Sequence, residues 1–172
     1  MTGTDDWIRL IGAPERPPEP TDWNRVRSLL GTDLPSDYRV LVETYPALAL
    51  EQFLRITHPT GKHDHSNWTH VAPAVLDRLR ETRRNGNIKF PHGLYPETPG
   101  LLPWGNTVNG DHCFWLADGE PDRWTIVITD LVDWWEFGGG LFDFVSGFVS
   151  GAVTCPVFPD DVPNGKPPYQ EP

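Results

Sequence analysis

Four histidines, His58, His63, His65 and His70, fall close together with Asp64 among them. Imidazole and carboxylate groups are zinc ligands, and a flexible loop could fold them around one ion that activates a water molecule. The paired spacings that set two ligands on one helical face are missing, so a solvated polar loop is the expected reading. A second group is His112 beside Cys113. Neighbouring strand residues point to opposite faces, so this histidine is badly placed to deprotonate this thiol. The apolar run around Cys113 also makes it read as a small hydrophobe. A third group is the set of carboxylates Asp111, Asp118, Glu120, Asp122, Asp130 and Asp133, which could supply acid–base pairs. They fall where turns are expected, and there acids bend and cap the chain. No glycine-rich phosphate loop or G-x-S-x-G turn is present. No catalytic residue, metal or cofactor is therefore assigned.

The formal net charge is −10 and is unevenly distributed. Residues 1–96 carry twelve acids and twelve Lys or Arg, whereas residues 97–172 carry twelve acids against only Arg123 and Lys166. Such a half repels nucleic acid and anionic membranes and steers a basic protein partner towards itself. No segment reaches the roughly 20 apolar residues of a membrane span. The first residues lack the basic and apolar regions of a signal peptide, so a cytoplasmic protein is expected. Its two cysteines, Cys113 and Cys155, are then free thiols.

The elements that must position these groups are legible in part. The run Pro14–Pro20 has four prolines, so residues 1–20 read as an extended arm. Residues 21–152 read as one domain, and residues 153–172 as a proline-rich tail packing only through Val157 and Phe158. Trp23, Val26, Leu29 and Leu30 recur at helical spacing after Thr21 and Asp22 and before Gly31. A second helix follows Pro35, with Tyr38, Leu41, Val42 and Tyr45 on one face and Pro46 as its stop. Gln52–Ile56 reads as a short strand, and Val71–Arg84 as a third helix. The pair Asn109-Gly110 signals a two-residue hairpin turn. It joins Leu101–Val108 to Asp111–Ala117, and Trp124–Asp130 completes a three-strand meander. Asp133–Phe137 adds a possible edge strand. A last helix, after Gly140, is expected to turn Phe142, Val145, Phe148 and Val149 inward.

Five tryptophans, Trp104, Trp115, Trp124, Trp134 and Trp135, are many for so small a sheet to bury. Exposed tryptophan beside carboxylates is the composition of protein-binding hot spots. The candidate partner-binding residues are therefore Asp118, Glu120 and Asp122 in the loop between the second and third strands, and Asp133, Trp134 and Glu136 on the edge strand.

Taken in order, "LPSDYRVLVETYP", "LLPWGNTVNGDHCFWL", "WTIVITD" and "GGLFDFVSGFVSG" resemble the SUKH superfamily. Leu34, Pro35, Asp37 and Tyr38 match its L-P-x-D-Y block. Leu102, Pro103, Trp104, Gly105, Gly110, Asp111 and Trp115 match its second block, an aromatic-glycine step followed by a G-D turn into an aromatic strand. The resemblance spans roughly residues 22–151, and Tyr45-Pro46 departs from a frequent Tyr-Gly. It implies an α+β fold, a twisted and mostly antiparallel sheet with helices packed around it. It also implies a non-enzymatic role. The superfamily includes yeast regulators of cell-wall glucan synthesis and bacterial immunity proteins that bind and neutralise polymorphic toxin domains, commonly nucleases or deaminases. An immunity protein with a basic toxin as partner is the leading expectation. A scaffold for endogenous partners is second, and a metal-dependent hydrolase using the loop histidines third.

Overall fold

A computed structural model describes residues 1–172. In chain order its elements are α1 (Thr4–Ile11), α2 (Trp23–Leu30), α3 (Ser36–Thr44), β1 (Leu48–Leu50), β2 (Leu54–Ile56), α4 (Trp68–Arg84), β3 (Gly93–Leu94), β4 (Gly100–Thr107), β5 (His112–Ala117), β6 (Thr125–Thr129), β7 (Trp134–Phe137), α5 (Leu141–Ser150) and β8 (Tyr169–Gln170). The strands form one open sheet in the order β7-β6-β5-β4-β2-β1-β8, antiparallel except where β3 pairs in parallel with β4. The architecture is a single α+β domain, as the strand and helix signals require.

The meander β4-β5-β6 sits in the middle of the sheet because its strands are apolar on both faces. One face carries Cys113 and Trp115, in register with Ile128 and Ile126. The Trp115 ring meets Tyr38 of α3 edge-on at 5.0 Å, and Trp104 meets Phe144 of α5 at 6.0 Å. The opposite face carries His112 and Phe114 and is partly covered by α4, whose Trp68 Nε1 donates to the Pro103 carbonyl at 2.8 Å.

Three sequence expectations change, while the five tryptophans divide between core and surface as expected. The β4–β5 turn has three loop residues, because Thr107 N donates to the Asp111 carbonyl at 3.1 Å and Gly110 takes φ +92°. That is a turn closed by a left-handed glycine, not the two-residue form that Asn-Gly suggests. In α5 the buried set is Leu141, Phe144, Val145 and Phe148, whereas Phe142 turns away from the sheet to pack edge-on against Trp7 at 4.8 Å. Trp104, Trp115 and Trp124 are all buried; only Trp134 and Trp135 stay half-exposed. Strand β1 lies upstream of the expected one, and its hairpin to β2 turns through Glu51 and Gln52 at positive φ without a glycine.

The arm and tail are also docked. In the arm, α1 buries Trp7, whose Nε1 donates to the Asp37 carbonyl at 3.1 Å. In the tail, β8 pairs with β1, and Gln170 Oε1 accepts from Glu15 N at 2.8 Å. The buried Glu171 carboxylate accepts from Ser66 Oγ at 2.6 Å and from Lys62 N at 3.0 Å. Beside the buried rings of Trp7 and Phe158, the clasp is made by backbone pairing and buried polar groups, which apolar content could not show. Glu171→Ala leaves the Lys62 N–H without its acceptor and is expected to lower stability by about 2 kcal/mol in urea unfolding. An unchanged midpoint would show that the Glu171 hydrogen bonds contribute nothing to stability.

Candidate functional site

The residues of the L-P-x-D-Y and aromatic-glycine blocks are held by one another. Leu34, Pro35 and Tyr38 are buried, and the Tyr38 hydroxyl donates to the Thr57 carbonyl at 2.8 Å. Asp37 reaches from α3 to the start of α5, where its carboxylate accepts from Phe142 N at 2.9 Å and from its own neighbour Tyr38 N at 2.7 Å. Burial pushes its pKa up, opposed by those N–H donors. The carboxylate thus serves as the cap that α5, beginning after Gly140, lacks in its own sequence.

Gly105 is required by β2: a Cβ there would lie 2.4 Å from the Arg55 carbonyl oxygen. The Trp104 carbonyl accepts from both Thr57 N and Thr57 Oγ1. Asp111, also buried, accepts from Thr107 Oγ1 at 2.6 Å and so locks the hairpin turn next to Gly110. Leu102 is buried in the core. Every block residue therefore has an architectural task.

The histidines do not converge. His58 is buried, with Nε2–H donating to the Val42 carbonyl at 2.7 Å and Nδ1 accepting from Thr60 N at 2.9 Å, and burial lowers its pKa. His63 faces Glu171 at 3.7 Å, and His70 faces Asp64 at 3.4 Å. No group of three or more His, Cys, Asp or Glu side chains is arranged to hold a metal ion. Burial pushes the Cys113 thiol well up and the Cys155 thiol up to about 11, so neither is a thiolate at neutral pH.

His112 lies half-buried on the face opposite Cys113, and its pKa is lowered to about 4 by burial and by the nearby Arg78 charge. Between about pH 6.5 and 4 the unfolded chain binds a proton at this position that the folded chain refuses. The stability present above pH 6.5 is therefore lost as pH falls towards 4, by up to ~3 kcal/mol. Urea unfolding at pH 7.5 and 4.5 should show a smaller acid loss for His112→Asn than for the parent chain. Equal losses would remove His112 from the effect.

The candidate binding residues divide between the two ends of β6. Asp118, Glu120 and Asp122 are exposed in the β5–β6 connection. Asp122 is already in use there, its Oδ1 accepting from Ser36 N at 2.6 Å at the start of α3. Asp133 is exposed in the β6–β7 turn, about 15 Å away along the strand. Trp134 and Glu136 follow it on β7, which is an edge of the sheet with β6 as its one neighbour. The Trp134 ring packs on Phe90 at 5.5 Å, and Glu136 accepts a hydrogen bond from His92. Sequence reasoning did not single out Val132, which lies between Asp130 and Asp133 at 81% exposure. An apolar residue inside a polar turn was its signal.

The candidate site is the unpaired edge of β7 with its leading turn: an exposed valine, two half-buried tryptophans and three carboxylates. No helix is long and apolar enough to cross a membrane. Comparison with family models, with curated proteins and with solved structures found no match.

Proposed function

We propose that the chain acts by binding, as an immunity protein of the SUKH kind that neutralises a toxin domain of nuclease or deaminase type through direct contact. The observation that carries this reading is the open β7 edge, where Val132, Trp134 and Trp135 stand beside Asp130, Asp133 and Glu136. An unpaired edge is a template for a partner's backbone, and proteins ordinarily protect such edges. Half-exposed tryptophan supplies anchor area, and the carboxylates match the basic cleft that a nuclease presents to its substrate. The ordered blocks "LPSDY" and "PWGNTVNGD" support the superfamily reading, and their residues fill architectural roles. The thiols and histidines are engaged in packing and hydrogen bonds, which favours binding over chemistry.

The test is association with any toxin domain encoded by a gene adjacent to this chain's own, measured by calorimetry at two salt concentrations. Asp133→Lys with Glu136→Lys should weaken binding about 30-fold, chiefly through slower association. An unchanged affinity would remove the β7 edge from the interface.

A further inference from the structure

On the sheet face opposite α3 and α5, a register row runs Arg55–Asn106–His112 across β2, β4 and β5. Helix α4 stands beside this row rather than over it, leaving an open groove of about 580 Å³. Arg55 and Asn106 line one part of it, Arg78 and His70 of α4 another, and His65 and His112 the rest. Val71, Val75 and Val108 give it apolar floor and wall.

The charge here is the reverse of the molecule's. In a chain with ten more acids than Lys and Arg, the groove holds two arginines and three histidines against the single acid Asp64, which faces His70 at 3.4 Å. The Arg55 and Arg78 guanidinium groups have no carboxylate or hydrogen-bond partner, and neither does the Asn106 side-chain amide.

We propose that this groove is a docking site for an extended acidic segment of a protein partner, its carboxylates held by Arg55 and Arg78. Guanidinium groups bind carboxylates through paired N–H donors, and strand spacing sets Arg55 and His112 about 10 Å apart, within reach of alternate side chains of an extended chain. Most of the lining is exposed, so an occupant keeps one side in water. That suits a chain segment, whereas a small-molecule site encloses most of its ligand. A nucleic acid would run on past the groove over a surface of net charge −10, whereas a short acidic segment stays within it. This surface is distinct from the β7 edge and does not rest on the toxin-binding reading.

The test is fluorescence anisotropy of the whole chain with a fluorescein-labelled peptide of alternating Glu and Val, about eight residues long so that it crosses the row and extends beyond both ends. Saturable binding is expected, weakened at least about tenfold by Arg55→Glu with Arg78→Glu and unchanged by Arg84→Glu outside the groove. Asp133→Lys with Glu136→Lys should leave it intact, which separates this site from the β7 edge. Equal binding of a control peptide of alternating Gln and Val, equal loss in Arg84→Glu, displacement by equimolar inorganic phosphate, or no saturation would each overturn the proposal. Should the double reversal unfold the chain, Arg55→Gln with Arg78→Gln is read instead, and an unchanged affinity there overturns it too.

Discussion

Trp115→Ala is expected to cost about 4 kcal/mol, while Trp115→Phe costs about 1. The ring is fully buried at the centre of the sheet, between Tyr38 at 5.0 Å and Trp124 at 6.1 Å. Alanine leaves a cavity that the paired strands on either side cannot collapse into. Phenylalanine keeps most of the apolar volume and removes something unfavourable, since the Trp115 Nε1–H is buried without a hydrogen-bond partner. Urea unfolding of the two variants reads the difference directly. If phenylalanine were as costly as alanine, the indole nitrogen would have a role that packing does not supply. That result would reopen the aromatic strand as a working site.

The second large effect is expected at Asp37. Asp37→Ala removes the acceptor of Phe142 N and Tyr38 N and is expected to cost about 3 kcal/mol, from the lost cap and the unsatisfied donors. Asp37→Asn should recover about half of this, because its amide keeps one acceptor oxygen for one of the two N–H groups, while its NH2 replaces the oxygen that the other bonds. Burial raises the Asp37 pKa, so the site already penalises the charge, and a neutral side chain of the same shape keeps an acceptor oxygen in place. A variant with asparagine that is no better than alanine would show that the negative charge at the α5 N-terminus dominates. Both substitutions should leave partner binding intact in whatever fraction remains folded.

These two residues show how far the sequence could be read. Tyr38 and Asp37 follow a proline in a helical start, so their element was legible. The partner of Asp37 was not, because α5 begins 104 residues later and its own cap position is a glycine. The central meander was legible from alternation and from Asn109-Gly110, though the turn closes one residue wider. Helix α1 and strand β8 were not legible. Each is short and set beside proline-rich sequence, and each is held by tertiary contacts: Trp7 against Phe142, and Tyr169-Gln170 against β1. The candidate residues were found singly, but their grouping depends on which end of β6 they occupy. The groove had no linear signal, because Arg55, Arg78 and His112 meet only across strand register and a helix.

We propose that this chain holds a basic toxin domain at its β7 edge. That is tested by the affinity of the purified chain for any toxin domain encoded by an adjacent gene, with growth of cells co-producing the two. A tight one-to-one complex and restored growth are expected, with loss of both for Asp133→Lys and Glu136→Lys in a chain that remains folded. Absence of a complex with no protection would contradict it, as would full protection by the charge-reversed chain.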